Sequence, residues 1–167
     1  MGLGKAMLAV GAAINEVSQN STASASYLVD FENRMAGVGK QADMSIPKIM
    51  GYASVLDQNA QQVEMSATAL QGIIMKMYQD PGKLARIAGI DVKEFARLVR
   101  EDANEALLQL LDTLGKAGGM QALAPMFDEM KLDGSRAASV LSVLAGNIES
   151  VPVSYTHLRA HETLSDL

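Results

Sequence analysis

Along most of the chain apolar positions recur every three or four residues and polar positions fill the gaps, the pattern of helices with one buried stripe. In "SASYLVDFENRMAGVGKQA" the stripe is Leu28, Phe31, Met35 and Val38, which predicts a helix from about Thr22 to Gln41. "DMSIPKIMGYASVLDQ" follows, with Ser45 placed as an N-cap and Pro47 in the first turn, where a missing N–H costs nothing. From Asn59, "NAQQVEMSATALQGIIMKMYQ" carries Val63, Ala67, Leu70, Ile74 and Met77 as one stripe, and Gln62 stands where a capping box would use it. No stretch alternates with period two for long enough to make a sheet. The expectation is an all-α fold, a succession of amphipathic helices and helical hairpins, in a compact bundle or an extended array.

The second half is punctuated by acids, glycines and prolines. Asp80-Pro81 ends one helix and opens a short one, "PGKLARIAG", closed by Gly89 in the place of a left-handed cap. Asp91 with Glu94, and Asp102 with Glu105, have the spacing of helix starts, and their charges meet the positive end of the helix dipole. They introduce "VKEFARLVRE" and "ANEALLQLLDTLGKAG", the latter with a seam of Ala106, Leu107, Leu110, Leu111 and Leu114. Gly118-Gly119 breaks the chain, Pro125 is expected to kink or divide "MQALAPMFDEM", and Asp133-Gly134 leads into "SRAASVLSVLAGNIES". The pieces after Asn59 and after Asp102 share an outline, a polar opening and an apolar seam, and read as two helical hairpins.

Composition narrows the chemistry more than it names it. With 167 residues there is room for one ordinary domain, or for a piece of something longer. The hydrophobic share is 49% but the aromatic share only 4%, so the core must be built from small and flexible side chains. Eleven methionines suit irregular core gaps, and secondarily adaptable contact faces. There is no cysteine, which removes disulfide frameworks, thiolate nucleophiles and zinc ribbons. Fourteen basic residues are scattered among nineteen acidic ones, net −5, so no positive patch supports specific nucleic-acid binding.

Candidate sites are few. Gly2 to Lys5, "GLGK", lacks the glycine spacing, the following Ser or Thr and the preceding strand of a phosphate loop. Glu101-Asp102 and Asp128-Glu129 are adjacent acids that helical geometry aims apart, as solvated surface or caps. Both histidines lie in "SYTHLRAHE": His157 and His161 are four apart on one helical face, with Glu162 beside them. That is an incomplete ligand set, and the second histidine of a metalloprotease motif is missing. No catalytic, cofactor-binding or metal residue is therefore assigned, no cofactor is expected, and the chain is read as non-enzymatic. Near the start, Lys5, "AMLAVGAAI" and Ala23-Ser24-Ala25 imitate a signal peptide, but Glu16 and "NEVSQNST" separate the apolar run from the small residues, as in an interior helix. That apolar run is also far short of the ~20 residues that span a bilayer.

Three segments in order, "YLVDFENRMAGVGKQADMS", the long run from "IMGYASVLDQ" to "NEALLQLL", and "FDEMKLDGSRAASVLSVLAGNIE", resemble the tail tape measure proteins of long-tailed bacteriophages and prophages. Together they cover about Tyr27 to Glu149. The resemblance implies a structural role: the tail tube protein and tail assembly chaperones gather around copies of the tape measure in the host cytoplasm, and its length sets tail length. It also implies residence in the tail lumen of the virion, and contact with the host envelope when the full-length protein assists DNA entry. A helix advances ~1.5 Å per residue, which turns chain length into distance.

The chain departs from that family in length and at its end. Fully helical it would reach only ~250 Å. Beyond Val151 the likeness stops, and "PVSYTHLRAHET" is similar to translated sequencing-adapter strings. The expectation is a helical core fragment over 1–150 and a non-family, disordered, artefactual tail over 151–167, one that packs on nothing.

Overall fold

The structure, a computed structural model, describes residues 24–118, 120–132 and 134–151. Four of the eight described helices begin where a side-chain oxygen accepts from a bare backbone N–H. Helix α1 (Ala25–Gln41) starts on Ser24, whose side chain accepts from the Tyr27 N–H at 3.3 Å. Helix α2 (Ile46–Gln58) has Ser45 in extended backbone at the N-cap and Pro47 in its first turn, although the Ser45 hydroxyl makes no capping bond. Helix α3 (Val63–Gln79) runs into Asp80, which ends it and caps α4 (Pro81–Ala88) by accepting from the Lys83 N–H at 3.0 Å. Gly89 then turns the chain with φ 76°, a left-handed conformation that costs a glycine nothing.

Asp91 and Asp102 work in the same way for α5 (Val92–Glu101) and α6 (Ala103–Lys116), accepting from the Glu94 and Glu105 N–H groups at 2.9 and 3.1 Å. Helices α7 (Met120–Glu129) and α8 (Gly134–Gly146) complete the described elements, and no strand occurs among the described residues. The all-α expectation is met.

Two boundaries differ from the sequence pattern. The helix expected from Asn59 begins at Val63, because Asn59 spends its amide on the Val55 carbonyl at 2.8 Å, closing α2. Ala60 then takes φ 59°, and Gln62 holds the N-cap position without a side-chain bond. Pro125 does not divide α7. It sits in the second turn on the exposed side, so the one carbonyl it frees, that of Gln121, faces water.

The helices close around one continuous core running from Leu28 to Val151, so the described residues form a compact bundle and not an extended array. Helices α3 and α8 share the middle: α3 packs on α1, α2, α4 and α8, while α8 packs on α2, α3, α6 and α7. Helix α2 is buried on nearly every side, from Pro47 and Ile49 through Leu56, as expected of a helix apolar all round. Among the methionines whose side chains are described, Met35, Met44, Met50, Met77 and Met130 are buried and serve as core filler.

Candidate functional site

The polar groups that reach the interior tie helices together. The Tyr52 hydroxyl of α2 donates to Asn104 Oδ1 of α6 at 2.9 Å, inside the core, and Asn104 Nδ2 has no partner among the described residues. Tyr27 of α1 donates to Ser66 Oγ of α3 at 3.1 Å, Ser139 Oγ of α8 donates to Gln61 Oε1 at 3.3 Å, and Gln71 Nε2 donates to the Arg34 carbonyl. The Ser24 N–H donates to Asp57 Oδ2 at 2.7 Å and ties the start of α1 to α2. Each contact is a single neutral or charge-assisted hydrogen bond that sets the register of two helices.

The acid pairs do ordinary structural work. Glu101 Oε2 receives Arg97 at 2.6 Å, Asp102 is a cap, and Asp128 and Glu129 are exposed. Arg97 is held by Glu94 as well, at 2.8 Å, and the hydrogen bond to Glu94 and the charges around it raise its pKa. No group of three or more metal-ligating side chains occurs among the described residues, and no helix among them is long and apolar enough to cross a membrane. His157, His161, Glu162 and the Gly2–Lys5 stretch all lie outside the described residues.

The surface of the described residues carries several hollows, three of them of about 250 Å³ or more. One of about 450 Å³ lies between α3 and Lys131, Leu132 and Ala137, lined by Glu64, Met65, Thr68 and Lys76 among others. A second, about 250 Å³, is formed by Val38, Ile74, Met75 and Tyr78 with two glutamines. A third of about 570 Å³ lies where α5, α6 and the turn after α8 meet, lined by Leu98, Glu105, Leu108, Gln109, Asp112, Ile148 and Glu149. No hydroxyl that lines them is hydrogen-bonded to a carboxylate or an amine among the described residues. Compared with models of protein families, with curated proteins and with solved structures, the chain matches none of them.

One carboxyl has no ordinary explanation in the sequence pattern. Glu32 stands beside Phe31 on α1, half-buried, with Oε2 shielded and unpartnered among the described residues. Burial pushes its pKa from the ordinary 4.5 up to about 7. A carboxyl with a raised folded-state pKa holds its proton more tightly when folded. Its contribution is therefore full below 4.5 and is lost as pH rises through about 7. The variant Glu32→Gln keeps the neutral shape at every pH. Against it, the parent should lose about 1 kcal/mol between pH 4.5 and pH 8, a low value because water still reaches part of the side chain. Urea unfolding of both proteins across that range checks this, and parallel pH curves would refute it.

Proposed function

We propose that the chain is a portion of a phage tail tape measure protein, structural and non-enzymatic. In the full-length protein it would take part in setting tail length during assembly and in assisting DNA entry. Its partners would be the tail tube protein, tail assembly chaperones and other tape measure copies. The observation that carries this reading is the ordered likeness of three segments across Tyr27 to Glu149, which coincides with the residues that close into one packed core. A folded domain of this size has a radius of gyration of only ~14 Å. A compact domain does not itself advance ~1.5 Å per residue, so within a length-setting protein its share would be contact with other tail components.

The competing reading, a small protein-binding or chaperone-like helical module, depends on methionine-rich outer faces. Among the described side chains only Met75 is an exposed methionine, at 52%, so that requirement is poorly met. Long-read sequencing across the locus separates the two. The tape measure reading expects tail tube and baseplate genes beside this one, and a reading frame that continues past Val151 in a different sequence. A short gene among unrelated neighbours would overturn it.

A further inference from the structure

The hollow between α5, α6 and the turn after α8 is organised differently from the rest of the surface. Glu105, Leu108, Gln109 and Asp112 stand at i, i+3, i+4 and i+7 of α6, one stripe two turns or ~10 Å long. Leu98 from α5 and Ile148-Glu149 beyond α8 supply the other walls. The apolar residues lining it are Leu98, Leu108 and Ile148, while the charged residues lining it, Glu105, Asp112 and Glu149, are all carboxylates. Asp112 pairs with Lys116 at 3.1 Å, but that lysine is 78% exposed and the pair is a weak, exchangeable surface contact. Glu105 and Glu149 have no ion pair among the described residues.

An aliphatic floor rimmed by three carboxylates, two of them without an ion pair among the described residues, selects its occupant by charge. We propose that this groove docks a short cationic amphipathic helix of a partner protein. The partner's apolar anchors, spaced three and four residues apart, would lie over Leu98, Leu108 and Ile148, and its Lys or Arg side chains would reach Glu105, Asp112 and Glu149. The rim steers and orients, and burial of the anchors holds the complex. A second copy of this chain is a poor occupant, since its nineteen acids outnumber its fourteen basic residues and the approaching surfaces repel. This inference rests on the groove alone and stands apart from the tape measure reading.

The test uses the whole chain and a fluorescein-labelled leucine–lysine amphipathic peptide of about 14 residues, about four turns of helix. Binding is followed by anisotropy at about 0.15 M salt, where nonspecific attraction is screened. The triple variant Glu105→Gln/Asp112→Asn/Glu149→Gln should weaken binding at least about tenfold. Removing three carboxylates elsewhere, with Glu64→Gln/Asp128→Asn/Glu129→Gln, should change it by less than about twofold. These are surface positions, and thermal unfolding confirms that both triples fold. Amide shifts in labelled parent protein should cluster at 98, 105–112 and 148–149. Equal weakening by both triples would overturn the proposal, as would shifts centred on Met75 and Tyr78. Deleting residues 152–167 and gaining about tenfold in affinity would show the chain's own tail as the occupant, and also overturn it. Self-association abolished by the groove triple would do the same in favour of a second copy.

Discussion

Replacing Phe95 with alanine will destabilise the protein by about 3–5 kcal/mol, the range for removing a buried phenylalanine ring. Helix α5 has ten residues, too few to be stable alone, and most of its surface is charged: Lys93, Glu94, Arg97, Arg100 and Glu101 all face water. Its buried anchors are Phe95, fully enclosed, and Val99. The salt bridges on its outer face are exposed and screened by water, so they cannot hold it once the ring is gone. A cost of that size is roughly a fifth or more of a typical domain's stability. Urea unfolding should show a lower midpoint with an unchanged slope. Val99→Ala should cost clearly less, because a smaller volume is removed. If Phe95→Ala costs under about 1 kcal/mol, α5 is not anchored to α4 and α6 in the way described. Because α5 supplies Leu98 to one wall of the groove, the same variant should also weaken peptide binding there.

The parts of this architecture that were legible in the sequence are the local ones. Asp80, Asp91 and Asp102 begin helices because an acid can reach the N–H three residues on, and Gly89 ends one because only a short stretch of backbone decides it. The stripes of α1, α3 and α6 are equally local, and Leu28, Phe31, Met35, Leu70, Ile74, Leu107 and Leu111 are buried as their spacing requires. The start of α3 was not legible, because Asn59 and Gln62 both suit a helix start and the choice was made by the Asn59 amide closing the previous helix. Nor could periodicity show that α3 and α8, far apart in the chain, occupy the centre, or that α2 is buried all round.

The groove falls between these cases. Glu105 and Asp112 are visible on one face of α6 from spacing alone, but Leu98 and Ile148 join them only through tertiary packing. Asn104 carried a faint signal, since it shares a helical face with Leu107, Leu111 and Leu114, three, seven and ten residues on. Its partner Tyr52, in another helix, carried none.

Gly115→Ala will destabilise the protein by about 2 kcal/mol, against the sign that helix propensity predicts. Alanine is the better helix former by roughly 1 kcal/mol, so in open surroundings the substitution should help. At Gly115 of α6 a Cβ would stand 2.6 Å from the carbonyl oxygen of Ala145 in α8 and 3.3 Å from its carbon. Backbone cannot rotate out of the way as a side chain can, so α6 and α8 must separate and leave both helices underpacked. Gly37 supplies the internal comparison. It lies on an exposed face of α1 with nothing within 4 Å of its notional Cβ, and Gly37→Ala should stabilise by up to about 1 kcal/mol. At Gly39 the obstacle is only the end of the Ile49 side chain, which can change rotamer, so Gly39→Ala should fall between the two. Thermal and urea unfolding of the three variants therefore reads the α6–α8 approach directly. A Gly115→Ala protein as stable as the Gly37→Ala protein would mean that the two helices do not cross this closely.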